Sequence, residues 1–181
     1  MRTALLALTC SLWIASAADA PKLAAPFTIQ RVGSPSIQLS QYRGKVVLVA
    51  FMSTTCPHCQ QLTRELTLIN KEYEPRGVQI LGCVFNPNAN MLVSQFIASF
   101  QPSFPVGFSD NNTVTAYFGR SPNDPTPFYV PHLLFVDRTG HVQGDYAGES
   151  DFMKAPDANI RAQLDKMLKA PTTSAKNSKT K

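Results

Sequence analysis

Two cysteines separated by two residues, Cys56-Pro57-His58-Cys59, are the side chains of this sequence best placed to do chemistry. They follow Val46 to Phe51, a short apolar run rich in β-branched residues that reads as a strand buried on both faces. Met52-Ser53-Thr54-Thr55 break that run, and after the cysteines Leu62, Leu66 and Ile69 recur at helical spacing. A cysteine that opens a helix sits where unpaired backbone N–H groups and the macrodipole favour its thiolate. Pro57 suits the first helical turn, where its missing N–H costs nothing. Cys59, one turn deeper, can reach back to Cys56. The expected chemistry is thiol–disulfide exchange, with Cys56 as exposed attacking sulfur and Cys59 as shielded resolving sulfur. Thr55, Pro57 and His58 are the expected modulators of the pair.

Other uses of two cysteines need partners. A zinc site would call for a second Cys or His pair at matching spacing. The only cysteine beyond residue 20 outside the motif is Cys83, alone in the apolar run Val78 to Phe85, where it reads as a small buried hydrophobe. Exchange itself needs neither a metal nor an organic cofactor. One alternative is Cu(I) handling by Cys56, Cys59 and His132, since soft Cu(I) accepts thiolate and imidazole; His132 otherwise reads as a strand-start residue near the surface. Another is a peroxidase, but that chemistry uses a lone activated cysteine with a nearby Thr and Arg, and the two-residue spacing argues for exchange.

The elements that must position the pair follow from the rest of the chain. Its 181 residues suit one domain with a sizeable core. The hydrophobic content of 44% is ordinary for a globular protein. The net charge of +5 includes Lys176, Lys179 and Lys181 near the C-terminus, so the domain itself is close to neutral and nucleic acid is not an expected partner. Arg2, the apolar stretch Ala4 to Ile14 and the Ala18-Asp19-Ala20 pattern read as a signal peptide over 1–20, removed near Ala20. The expected setting is periplasmic or secreted, where disulfides persist. A domain over 21–169 and a disordered lysine-containing tail over 170–181 complete the organisation.

Within the domain, Phe27 to Arg31 and Ile37 to Leu39 read as short strands around the Gly33-Ser34-Pro35-Ser36 turn. A helix over Cys56–Glu74 should end at Pro75-Arg76-Gly77, and Val78 to Phe85 should form the next buried strand, parallel to the first through the helical crossover. Met91 to Phe100 and Val114 to Phe118 carry helical patterns, and Phe104 to Phe108 suggests a short edge strand. Arg120 to Tyr129, with three prolines, reads as a surface loop. Val130-Pro131 leads into the strand Leu133 to Asp137, a turn at Thr139-Gly140 leads into His141 to Ala147, and Asp157 to Lys169 closes the domain as an amphipathic helix.

The segments APFTIQ…IQLSQYRGKVVLVAF, FMSTTCPHC and VPHLLFVDRTGHV together resemble the extracytoplasmic thioredoxin-fold oxidoreductases of the TlpA and ResA type. That resemblance implies an α/β thioredoxin fold: a central mixed β-sheet flanked by helices, an N-terminal β-hairpin, and an insertion between core strands at Asn88 to Gly119. It implies a cis Pro131 packed beside Cys56, with the Val130 backbone offered to an extended substrate. It also implies protein thiols and disulfides as partners, a membrane thiol electron donor or acceptor, a monomer, and reducing work of the kind that serves cytochrome c maturation. Pro57-His58 and Val130 resemble instead the DsbA oxidase. The acid that thioredoxins bury in the central strand is Ala50 here, and the glutamate that ResA-type reductants carry after the second cysteine is Leu62. The reducing direction is the expectation, with disulfide donation the alternative.

Overall fold

The structure is a computed structural model that describes residues 22–121 and 124–170. The expected signal peptide and all but the first residue of the expected tail lie outside the described residues. At the centre is a five-stranded mixed sheet in the order β5-β4-β3-β6-β7. Strands β3 (Val46–Met52), β4 (Val78–Val84) and β5 (Val106–Phe108) run parallel, and β6 (His132–Val136) and β7 (Val142–Tyr146) complete the sheet antiparallel. Every residue of β3 and β4 is buried, which is why β3 reads as an unbroken apolar run and β4, with Gln79 as its one polar side chain, does not alternate either.

Alternation along the strands still sorts side chains onto two faces. Leu48, Ala50 and Met52 of β3, with Leu133 and Phe135 of β6, meet α1 (Pro57–Tyr73), α2 (Ala89–Phe100) and α4 (Pro156–Lys169). Val47, Val49 and Phe51, with Leu134 and Val136, meet α3 (Asn111–Tyr117) and the N-terminal hairpin of β1 (Thr28–Ile29) and β2 (Ile37–Gln38). Leu62, Leu66, Ile69 and Tyr73 are the buried stripe of α1, each almost fully removed from water. A side chain of that kind contributes about 1.5–3 kcal/mol by burial. Among the described residues, no helix is long and apolar enough to cross a membrane.

Local chemistry accounts for the shifts in element ends. Helix α3 begins three residues earlier than its apolar pattern suggests, because Asp110 caps it through the Thr113 N–H at 2.8 Å. Helix α2 begins at Ala89, after Asn88 takes a left-handed φ of 60°. The stretch expected as an insertion, 88–119, holds α2, β5 and α3, and β5 forms the sheet's edge there. That edge is covered in turn: Gln30 and Phe108 exchange two backbone hydrogen bonds of 2.8 Å, tying the hairpin to β5.

This last contact depends on Gly107, where a Cβ would lie 2.1 Å from the Gln30 carbonyl oxygen. Gly107→Ala should therefore push the hairpin off β5 at a cost of about 1–3 kcal/mol. Amide exchange at Gln30 and Phe108 should then accelerate selectively; unchanged protection at both amides would contradict the close approach.

Candidate active site

The reactive end of the fold is built where β3 stops and α1 starts. The Cys56 N–H bonds the Ser53 carbonyl at 3.3 Å, closing a tight turn, and Cys56 becomes the N-cap of α1 with Pro57 as the first helical residue. The cap is made by sulfur: Cys56 Sγ accepts the Cys59 backbone N–H at 3.4 Å. On its other side Sγ lies 3.9 Å from the Val130 carbonyl oxygen. The Val130–Pro131 peptide is cis, and Pro131 is buried against the site. Cys56 is half-buried while Cys59 is fully buried in the α1 core. That burial pushes the Cys59 thiol well above the usual cysteine range; the neighbouring Cys56 raises it further, and a backbone hydrogen bond at Ser53 works the other way. The two sulfurs thus occupy different environments one helical turn apart.

Thr55, Pro57 and His58 are all exposed at the rim of this turn. The residues that hold the turn are others, which the sequence did not single out. Thr54 is buried, and both its backbone N–H and its hydroxyl are held by Asn86 Oδ1, at 2.8 and 3.2 Å. Gln60 Nε2 reaches back from α1 to the Thr54 carbonyl at 2.9 Å. Nothing local in the sequence announces that Asn86 has a partner 32 positions away.

A cleft of about 280 Å³ opens beside the pair, with His58, Glu65, Val130, Pro131, Gly148 and Lys154 in its lining. Gly148 belongs there for want of space: a Cβ would meet the Val130 carbonyl group at 3.0 Å. Glu65 accepts from Gln61 at 2.9 Å through Oε1, whereas its Oε2 is buried without a hydrogen-bond partner. Leu62, at the position where a glutamate was looked for, is core. The carboxylate in the cleft comes from the next turn of the same helix.

His132 departs from the expectation of a residue near the surface. It is buried, with Nε2 against Asp145 Oδ1 and its ring between Phe118 and Phe128, at centroid distances of 4.4 and 5.0 Å. The cause is strand alternation: Leu133 faces α1 and Cys59, so His132 faces the opposite side of the sheet. The trio Cys56, Cys59 and His132 is therefore not brought together. Among the described residues, no group of three or more His, Cys, Asp or Glu side chains could hold a metal ion. Cys83 also faces away from α1, fully buried, and burial pushes its thiol up too.

Both raised thiols have a consequence for pH. In the unfolded chain a cysteine ionises near about pH 8.5. A thiol held neutral in the fold contributes stability that is complete below that value and is lost as the pH climbs toward the raised folded value. The urea midpoint of the fully reduced protein should fall between about pH 7.5 and about pH 10, and Cys83→Ala should make the fall shallower. A Cys83→Ala profile with the same slope as the parent would contradict the assignment.

Comparison with known proteins places this geometry. The Redoxin family pattern matches residues 18–164. The chain is 25% identical over 133 residues to the thiol–disulfide oxidoreductase ResA of Halalkalibacterium halodurans, covering 74% of this chain and 71% of that protein. It is 22% identical over 151 residues to ResA of Bacillus thuringiensis subsp. konkukian, covering 83% and 78%. Among solved structures, a thioredoxin-family thiol:disulfide interchange protein from Chlorobium tepidum superposes with a TM-score of 0.65 at 23% identity, over 83% of this chain and 99% of that one. The sheet and helices are those of a thioredoxin fold, and with most of its length matched by the family pattern the chain belongs to the Redoxin family.

Proposed function

We propose that this Redoxin-family oxidoreductase reduces disulfides of protein substrates outside the cytosol, using Cys56 and Cys59. The observation that carries this is the pairing of a half-buried sulfur at the α1 N-cap, beside the Val130 carbonyl, with a fully buried sulfur one turn behind it. In the reaction the Cys56 thiolate attacks one sulfur of the partner's disulfide. A mixed disulfide forms, and the first partner thiolate leaves. Cys59 then gives up its proton and attacks Cys56 Sγ, releasing the second partner thiolate. Two electrons have passed to the partner, and the Cys56–Cys59 disulfide must be reduced again by a thiol donor, of which a membrane-bound thiol protein is the expected class.

Burial of Cys59 keeps it protonated until that step, which stops it from competing for the partner's disulfide. The Val130 backbone beside Cys56 would align an extended substrate across it. Glu65 supports the reducing direction, since a carboxylate with an unpartnered oxygen lines the cleft where a proton from the pair could be received. The relatives named thiol–disulfide oxidoreductase ResA support the reaction type, thiol–disulfide exchange, in either direction. Export rests on the leader-like residues 1–20. Disulfide donation is the second reading, and it is favoured by His58, exposed in the first turn of α1 between the two cysteines.

Two substitutions test the mechanism. Cys56→Ser should lower disulfide exchange by several orders of magnitude, as loss of a nucleophile does. Cys59→Ser should retain the attack and accumulate mixed disulfides that survive non-reducing electrophoresis. Exchange that persists in both variants would contradict the assigned roles.

A further inference from the structure

On the side of α1 away from the His58 cleft, a groove of about 430 Å³ runs between α1 and α2. Phe96, which is buried, and Leu92 and Phe100, which are half-buried, make its floor apolar. Gln60 on α1 and Gln95 and Ser99 on α2 stand at its sides. One end reaches Thr54 and Thr55, in the turn before Cys56.

The two most exposed large apolar side chains among the described residues flank this groove, Met91 at 74% and Leu68 at 63%. Met91 precedes Gln95 by one turn of α2, and Leu68 follows Arg64 by one turn of α1. A single exposed side chain of that kind is ordinary, but two beside an apolar floor form a patch. Charge is confined to one wall. No residue from Gly77 to Ser109 is charged, so the α2 wall is neutral throughout. On α1, Arg64 lies over the Phe100 ring, 4.8 Å from its centroid, and Lys71 follows two turns later on the same row. Neither is paired with a carboxylate among the described residues. Nearby acids are turned elsewhere: Glu65 lines the His58 cleft, Glu72 takes Arg161, and Glu74, just past the helix, accepts from Asn70 at 3.4 Å.

A furrow between two helices has the shape that takes the side-chain ridge of a third. A lipid surface would instead need the bulkiest apolar groups to project, and Phe96 and Phe100 lie at the bottom. We propose that this groove docks an amphipathic helix of a partner protein, with its apolar ridge between Met91 and Leu68 and a carboxylate beside the ridge set against Arg64 and Lys71. A helix seated there lies against Thr55, at the edge of the reactive turn. The inference goes beyond the exchange reading: docking needs no disulfide in the partner, so it can fail while exchange stands.

Two designed amphipathic peptides provide the test. Both carry the same leucine ridge at helical spacing; one has glutamates beside it and the other lysines. Each is titrated into the full-length protein with backbone amide NMR as the readout. The glutamate peptide should bind about fivefold tighter, the scale of exposed charge pairs. Its shifts should centre on Thr55, Gln60, Arg64, Leu92 and Ser99. Arg64→Glu should reverse the order of the two peptides, a result that a loss of folding could not produce. Met91→Gln should weaken both alike. Equal affinities, an order that Arg64→Glu leaves unchanged, or shifts centred away from α1 and α2 would each overturn the proposal. So would vesicles of phosphatidylglycerol that move the same amides when neither peptide does, since the face would then meet a lipid surface.

Discussion

Everything at the reactive end of this protein depends on holding two sulfurs one helical turn apart on opposite sides of the boundary between core and solvent. The boundary is set by the α1 stripe. Leu62, Leu66, Ile69 and Tyr73 lock the helix onto β3 and β6, which fixes its rotation and puts Cys59 in the same buried row. Cys56 then falls at the N-cap, where the backbone N–H of Cys59 points at its sulfur. Rotation of α1 would expose Cys59 or bury Cys56, and either would abolish the difference in environment on which the proposed division between attacking and resolving thiols rests. Burial costs Cys59 its ready ionisation, and that cost is the basis of the division.

The turn that presents Cys56 is held by polar contacts, because it lies where the sheet ends and apolar packing thins out. Asn86 carries the support: one amide oxygen takes two donors from Thr54, while Gln60 secures the Thr54 carbonyl from the helix side. A buried backbone amide left without such a partner would cost about 1–3 kcal/mol. The opposite wall is stiffened in a similar manner. His132 follows Pro131 directly, and its ring is gripped by Phe118, Phe128 and Asp145, so the start of β6 is anchored on the face away from the cysteines. The His132 clamp thus occupies the side of the sheet away from the cysteines, while Gln60 braces the turn from their own side.

What could be read from the sequence follows from how local each signal is. The β-branched run before the motif, Pro57 after Cys56 and the spacing of Leu62, Leu66 and Ile69 are neighbours in the chain, and they sufficed to place Cys56 at the head of a helix. Cys83 was legible for the same reason, inside the apolar stretch Ile80 to Val84. The placement of His132 was not, because its partner Asp145 lies on β7 and its two phenylalanines lie in the connections on either side of the prolines. The link from Asn86 to Thr54 joins the ends of two different strands, a distance that no short motif records. Glu65 carries no comparable local signal, since helical phase alone does not say which turn borders a cleft that a distant loop closes.

The measurement that reaches the centre of this account is the reduction potential of the Cys56–Cys59 pair. Equilibration against dithiothreitol or glutathione buffers, followed by alkylation and mass readout, would supply it without fluorescence, which suits a chain whose only tryptophan is Trp13 in the expected leader. A pair that reduces its partners should equilibrate near or below about −270 mV, the thioredoxin value. A value near about −120 mV would contradict the reducing direction and make His58 the dominant influence on the pair. Failure to form a reversible disulfide would contradict the exchange mechanism itself.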